Sequence, residues 1–339
     1  MRKKIWYGVF SILLIFALSR LNLRETLSSI LQIPLWTAAL LLMLQIISQL
    51  LVNLQWYRVA NFSSVQISFR DMFLVNCQGA MIDSITPGVK VGGEVTRAVQ
   101  ISRMADCSGE KAAAVIAVQK LFSLGAFFFI NLFAIGFVIS GSSMLHSRGL
   151  QFTVYGILVF FLLIFVFVFL MPHKIKAFLL RRENRSSSES KIGRAVHKVR
   201  AFALNSLSGL ISIRSNSGAF IRLLALSFFI WLLYPAKFYL LTMHFYPEAG
   251  LIFLGAVTFA AYMVAMIPIF PGGLGGFEAT MTGLLPAVGF AQSEALAVAV
   301  IFRFFTFWFV MLFSIGYVGL NKIKIPFTMV QKTGGFRRA

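Results

Sequence analysis

The feature that most restricts this chain is a pair of Pro-Gly breaks, each ending an apolar stretch that would otherwise continue into a membrane-crossing helix. The first runs Thr86-Pro87-Gly88, followed by Gly92, Gly93 and Glu94. The second runs Phe270-Pro271-Gly272-Gly273, followed by Gly275, Gly276 and Glu278. In both blocks the glutamate lies seven residues after the proline, and the blocks are 184 residues apart. A lone cation then sits inside the next apolar stretch: Lys120, 26 residues after Glu94, and Arg303, 25 residues after Glu278. The shared order of Pro-Gly, Gly, Glu and cation marks an internal repeat. Proline stops the helix before it, and the glycines let backbone approach a ligand or a neighbouring helix.

The apolar stretches set the class. A bilayer span needs about 20 mostly apolar residues, and residues 6–19, 35–56, 112–140, 150–171, 220–245 and 295–320 are the crossing candidates. Two further stretches, 72–87 and 251–271, run straight into the breaks. At about 1.5 Å per residue the first reaches only about 24 Å, short of a hydrocarbon core of about 30 Å, so it is expected to enter and turn back. With 58% hydrophobic and only 12% charged residues, the chain is excluded as a cytosolic globular enzyme. The expected fold is an all-α polytopic membrane protein with about six membrane-crossing helices and two re-entrant segments in an inverted repeat.

Charge placement supplies an orientation, because Lys and Arg accumulate on the cytoplasmic side. With residues 1–5 inside and both short stretches re-entrant, 24 basic residues fall inside, and only Arg20, Arg24 and Arg148 fall outside. The expected organisation is a transmembrane domain over 1–320, with repeat one at about 35–171, repeat two at about 218–320, and a basic cytoplasmic loop at 172–217. A basic tail at 321–339 is also cytoplasmic, so both termini lie inside. The start of the chain also fits a signal peptide, with Ala17-Leu18-Ser19 as a loose cleavage site, which leaves the downstream sidedness unchanged. The net charge of +20 is read as cationic loops beside anionic headgroups rather than as a nucleic-acid surface.

Ionisable residues inside the spans carry the chemistry, since each is costly in hydrocarbon unless paired or wet. Asp83, Lys120, Lys237, Glu278 and Arg303 are the candidates, with Glu94 and Arg97 near the interface. Glu94 is expected to pair with Lys120, and Glu278 with Arg303. These residues either hold the repeats together or line a substrate pathway. The helices restarting near Glu94 and Glu278 would turn unpaired N–H groups toward an anion such as a phosphate-bearing headgroup. Pro235 is expected to kink its helix and present Lys237. Trp6, Trp36, Trp56 and Tyr246 are read as interfacial anchors, and the 37 phenylalanines as largely lipid-facing. Cys77, Cys107 and four scattered histidines form no metal-ligand spacing, and no nucleotide-binding loop of the GxxxxGK[ST] type is present. No cofactor, metal or catalytic residue is expected.

The segments "TPGVKVGGEVTRAVQISR", "EKAAAVIAVQKLF" and "IPIFPGGLGGFE…VGFAQSEALAVAVIFRF" resemble the two signature blocks of the lysylphosphatidylglycerol synthase transmembrane family, over roughly residues 5–320. The positions that match are Pro87, Gly88, Gly93, Glu94, Arg97, Pro271, Gly272, Gly273, Gly275, Glu278 and Arg303. The resemblance implies a flippase-like membrane domain of a bacterial or archaeal cell membrane, associated with moving or displaying aminoacylated phosphatidylglycerol or glycolipids. Where the family usually has Glu-Arg, this chain has Gln119-Lys120, which keeps the charge but loses the bidentate fork. Larger members carry a soluble aminoacyl-transfer domain, for which the 19 residues after Leu320 leave no room.

The expected function is therefore non-enzymatic: a lipid flippase or headgroup translocase for an anionic, aminoacylated or glycosylated lipid, with a membrane phospholipid or glycolipid as partner. A non-transporting scaffold or regulator of an envelope-lipid or polysaccharide synthase is the alternative, which makes a separate lipid-modifying synthase a second candidate partner. A membrane-embedded transferase using Glu94, Asp83 or Glu278 as base is a third, disfavoured by the lack of a nucleophile or metal constellation.

Overall fold

The computed structural model describes residue 28 and residues 33–86, 91–141, 148–181, 191–267 and 273–321. All secondary structure among them is helical: α1 (Leu35–Phe62), α2 (Phe69–Ile85), α3 (Val91–Met104), α4 (Gly109–Gly141), α5 (Arg148–Leu170), α6 (Pro172–Arg181), α7 (Lys191–Ser215), α8 (Ser217–Thr242), α9 (Leu251–Ala265) and α10 (Gly276–Leu284). A 3₁₀ turn at Leu285–Val288 follows, and then a rod of α11 (Gln292–Arg303), a π-helical turn (Phe304–Trp308) and α12 (Phe309–Leu320). Local sequence sets the boundaries. Pro34 precedes α1 in extended conformation, the Ser68 hydroxyl accepts the Asp71 N–H at the start of α2, and the Asn216 side chain accepts the Ala219 N–H at the start of α8. Such caps satisfy N–H groups that a first turn leaves open.

Five of these helical units are long and apolar enough to cross a membrane: α1, α4, α5, α8 and the α11-to-α12 rod. They match five of the six crossings expected from the sequence, and the sixth, at 6–19, lies outside the described residues. The four elements α1 to α4 recur in order as α8, α9, α10 with its 3₁₀ turn, and the α11-to-α12 rod. Adding 184 to the bounds of the first set lands within about five residues of the bounds of the second.

The halves meet head to tail. Thr37 bonds His244 at 2.6 Å, Lys237 donates to Gln45 at 2.5 Å and Ser48 at 3.1 Å, and Gln55 donates to Ser227 at 2.6 Å. As numbers rise along α1 they fall along α8, so the two central helices are antiparallel. Outside this seam the contacts exchange: α2 packs on α12, and α9 packs on α4. Arg70 reaches Asn321 and Phe73 meets Tyr317, so α2 and α12 are antiparallel as well.

Each half holds a helical hairpin at its break. In the first, Gly79 faces Arg97, Gly93 faces Asp83 and Gly92 faces Thr86, which makes α2 and α3 antiparallel. In the second, Tyr262 packs on Phe277, and Gly276 and Gly273 lie against Val264 and Ala265. The first hairpin starts and finishes at the end of the bundle where α1 finishes. Asn53 there bonds the Phe69 carbonyl, and Met104 joins the same core cluster as Val59 and Val65. The second starts and finishes at the opposite end, where Tyr246 meets Phe290. Pro87, Gly88, Pro271 and Gly272 lie outside the described residues.

The structure corrects several sequence expectations. The segment read as a loop, 172–217, contains α6 and α7, and α7 buries Leu207, Leu210 and Ile213 in the core. Its basic and serine residues dilute a helical apolar stripe too narrow to register as a span. Trp56 is not an exposed anchor but is 3% exposed beside Arg97, whereas Trp36 is exposed as expected. Phe122, Phe127, Phe238, Phe277 and Phe302 are fully buried core residues, while α5 exposes Phe152, Phe160, Phe161 and Phe167 and packs Phe169 on Phe122. Pro235 lies buried inside α8 against Gly255 of α9, which does not overturn the kink expected there.

Gly273 has φ +71 and a Cβ there would fall 2.7 Å from both the Ala265 carbonyl oxygen and its Cβ, whereas Gly275 has φ +85 in open space. Gly273→Ala is predicted to lower stability by about 2 kcal/mol or more, and Gly275→Ala by about 1 kcal/mol. Thermal unfolding of the detergent-purified variants checks the order.

Candidate functional site

Two clusters of buried charge define the candidate site, one per half. In the first, Asp83 at the end of α2, Glu94 and Arg97 on α3, and Lys120 on α4 come together. Arg97 Nη1 lies 3.0 Å from Asp83 Oδ2 and 3.6 Å from Glu94 Oε1, and Lys120 Nζ lies 2.7 Å from Glu94 Oε1. Asp83 Oδ1 also accepts the Gly93 backbone N–H at 3.0 Å. The indole of Trp56 on α1 lies 5.5 Å from the Arg97 guanidinium. Two cations and two carboxylates balance, so the cluster carries no net charge into its buried setting.

The glycines explain how the cluster fits. A Cβ on Gly93 would fall 2.2 Å from the Asp83 carboxylate, and one on Gly79 would fall 2.5 Å from the Arg97 guanidinium. Each helix of the hairpin therefore offers bare backbone to the charged side chain of the other. Gly93 was legible as a break residue in the sequence; Gly79 was not, because it lies within an unbroken helix. The Asp83–Arg97 pair was missed for the same reason, since nothing in sequence spacing brings α2 across α3.

The second cluster is smaller. Arg303 Nε lies 3.4 Å from Glu278 Oε1, and the other carboxylate oxygen of Glu278 accepts the Gly275 N–H at 2.7 Å. Glu278 thus caps its own helix while facing the cation. The Arg303 guanidinium lies 4.8 Å from the Phe277 ring and 4.5 Å from the Phe307 ring. It stands where α11 passes into the π-helical turn, and such turns often mark functional positions. Gly276 opens α10, and Gly92 begins α3 one residue into the helix.

Both expected pairs, Glu94 with Lys120 and Glu278 with Arg303, are formed. Lys120 lies eleven residues into α4 and Arg303 eleven residues into α11, about 16 Å along each helix. Those helices start from opposite ends of the bundle, so the two cations reach similar depth from opposite sides. Lys237 is 1% exposed and belongs to neither cluster. It joins α8 to Gln45 and Ser48 of α1, and lies 4.4 Å from the Tyr234 ring. Gln119 donates to Gln55 at 3.0 Å, so the residue standing where a carboxylate was expected joins the central seam instead. Gln78 is fully buried with neither amide atom hydrogen-bonded.

Two clefts lie elsewhere. One is an apolar groove lined by Ile46, Leu50, Phe73, Phe309 and Phe313; the other is lined by Ser63, Ser64, Lys111, Asn205, Ser208 and Ser212. Neither includes a residue of the charged clusters. No grouping of three or more His, Cys, Asp or Glu that could hold a metal occurs among the described residues.

The architecture is that of a polytopic all-α membrane protein built from two antiparallel halves with a broken hairpin and an ion-pair cluster in each. The chain belongs to the family defined by the lysylphosphatidylglycerol synthase TM region, whose model matches residues 5–314. It is similar to a UPF0104 membrane protein of Methanothermobacter thermautotrophicus, 26% identical over 79% of this chain and 80% of the relative. A UPF0104 membrane protein of Methanocaldococcus jannaschii is 22% identical over 83% of each chain. One of Pyrococcus horikoshii is 25% identical over 79% of this chain and 82% of its own length.

Removing one partner of a buried ion pair strands the other charge, whereas removing both with apolar replacements does not. Glu278→Ala is predicted to cost about 3 kcal/mol, and Glu278→Ala combined with Arg303→Met to recover most of that loss. Thermal melts of the single and double variants read the coupling.

Proposed function

We propose that the protein is a lipid translocase of the cell membrane, passing an anionic, aminoacylated or glycosylated headgroup between leaflets while the acyl chains stay in the surrounding lipid. The observation that carries this reading is the pair of antiparallel halves, each bringing a broken hairpin and a carboxylate–cation pair to similar depth. Placed in a bilayer with spans beginning at residues 112 and 295, each cation lies eight residues, about 12 Å, into a core of about 30 Å, near the midplane. Broken helices meeting near the midplane are the arrangement by which many inverted-repeat transporters hold their substrates.

In this reading α2–α3 re-enters from the cytoplasmic side and α9–α10 from the outside. Support comes from the ends of the bundle. Arg58, Arg70, Arg103, Lys111, Lys174, Lys176, Arg181 and Arg214 all belong to the end where α1 finishes and α8 begins, the distribution that cytoplasmic loops adopt. Both termini then lie inside. The exposed, strongly apolar outer surface of α5 faces lipid, and the basic α6 lies against anionic headgroups.

The chemistry is an exchange of partners. Arg97, Lys120 and Arg303 neutralise a phosphate as it passes, while Glu94 and Glu278 hold the cations in the empty protein and engage an amine-bearing headgroup when one arrives. Paired charges cost less to bury than lone ones, so trading a carboxylate for a phosphate keeps the barrier low. The residues bind and release, and no bond is made or broken.

The scaffold reading is favoured by a different observation: the charged clusters are already internally paired, and neither described cleft reaches them. The two readings separate in proteoliposomes. Headgroup-labelled phosphatidylglycerol, a glycolipid and phosphatidylcholine are each followed for leaflet exchange at matched protein content. Translocation predicts exchange of at least one lipid by the wild-type protein, reduced at least tenfold by Arg303→Ala, with no loss when Ser186–Ser190 are replaced by alanine. A scaffold predicts no exchange above empty vesicles.

The topology is checked by single cysteines in a Cys77→Ser/Cys107→Ser background. Cysteines at Ser68 and Asp106 are predicted to react with an impermeant maleimide only from the cytoplasmic side, and those at Glu248 and Ala291 only from outside. Labelling of Asp106 from outside would remove the re-entrant assignment of α2–α3.

A further inference from the structure

The two halves share a glutamate–cation pair, but the first adds a second pair that centres on Asp83. Its counterpart 184 residues on is Ile267, and the counterpart of Arg97 is Met281. In the second half the helix after the break is capped by its own Glu278. In the first half the equivalent helix receives a carboxylate from the other arm of the hairpin. Asp83 Oδ1 takes the Gly93 N–H and Oδ2 takes Arg97 Nη1, both at 3.0 Å.

This donor set is the one an oxyanion uses. A guanidinium beside a backbone N–H in the first turn of a helix presents convergent donors and a partial positive charge. Arg97 is 9% exposed, its Nε has no hydrogen-bond partner, and its other side is closed by Trp56. Gly79 and Gly93 leave the room in which carboxylate and guanidinium cross, room that any larger residue would fill. Glu94 keeps Lys120 alongside at 2.7 Å. A carboxylate therefore occupies a set of donors that suits an oxyanion in general.

We propose that Asp83 is an internal stand-in for the phosphate of the headgroup: it holds the α2–α3 hairpin closed when the site is empty and is displaced from Arg97 and the Gly93 N–H when a phosphate binds. The inference rests on the reading of this cluster as an anionic-headgroup site, and it deepens that reading by assigning competition from the opposite arm of the hairpin to the first half. Two consequences follow. Binding of a phosphate must work against Asp83, so Asp83 sets the affinity. In the second half the acid paired with Arg303 is Glu278, which belongs to the helix it caps, so a headgroup there displaces an acid of the same helix and the two halves hold the same lipid unequally.

The test uses the full-length protein in nanodiscs of phosphatidylcholine with a graded fraction of headgroup-labelled phosphatidylglycerol, with bound label as the readout. Asp83→Asn removes the negative charge but keeps an oxygen for the Gly93 N–H; Gly93→Ala pushes the Asp83 carboxylate aside and leaves its charge in place. Both are predicted to bind phosphatidylglycerol about tenfold more tightly than wild type, and Arg97→Gln is predicted to abolish the gain in the Asp83→Asn background. Inorganic phosphate as competitor identifies the source: displacement of label by phosphate alone indicates a soluble anion, and resistance to it a lipid-borne one. Wild-type binding that Arg97→Gln removes and that Asp83→Asn leaves unchanged or weakens would overturn the role of Asp83 while leaving the headgroup site standing. Equal labelling of wild type, Arg97→Gln and protein-free nanodiscs would instead overturn the headgroup site itself. Loss of the wild-type melting transition in both Asp83→Asn and Gly93→Ala would make the pair structural and end the proposal.

Discussion

Charge buried in an apolar bundle is the constraint on which the rest of this structure depends. An ionised side chain in hydrocarbon is costly enough that it must find a partner within the fold. In this chain the partners come from segments that sequence keeps well apart. Glu94 finds Lys120 only because α3 returns alongside α4, and Asp83 finds Arg97 only because α2 and α3 lie against each other. The reversals between α2 and α3 and between α9 and α10 are what allow those returns. A continuous helix through either reversal would carry its carboxylate away from its cation.

The seam between the halves uses the same logic with neutral groups. Lys237 is held by Gln45 and Ser48, and Gln119, Gln55 and Ser227 form a chain from α4 through α1 to α8. Polar contacts across a packed interface fix register, because a shift of one turn would leave each buried amide or ammonium unsatisfied. Around them the packing is aromatic: Phe238 meets Phe302, and Phe277 stacks on Phe302. Phe277 and Phe307 flank Arg303 in the second cluster, and Trp56 stands beside Arg97 in the first.

Much of the frame was legible in the sequence. The repeat was visible because proline and glycine interrupt apolar runs at matching places, and Glu94 with Lys120 and Glu278 with Arg303 could be paired because opposite charges in hydrocarbon have few alternatives. What escaped was whatever depends on lateral packing. Trp56 reads as an interfacial anchor, yet it is drawn inward beneath Arg97. The apolar stripe of α7 hides within a basic segment. Gly79 carries no mark in sequence, since its purpose is set by a guanidinium on another helix, and the π-helical turn after Arg303 has no composition of its own.

The central claim is that these buried pairs form a pathway for a charged headgroup rather than a set of internal struts. Reversing both charges of one pair, Glu278→Arg together with Arg303→Glu, separates the two roles, because a strut is indifferent to polarity and a headgroup is not. The measurement is leaflet exchange of a labelled anionic lipid by this double variant in proteoliposomes, alongside its thermal melt. The account predicts a melting temperature restored toward wild type with exchange still lost. Recovery of exchange together with stability would contradict it.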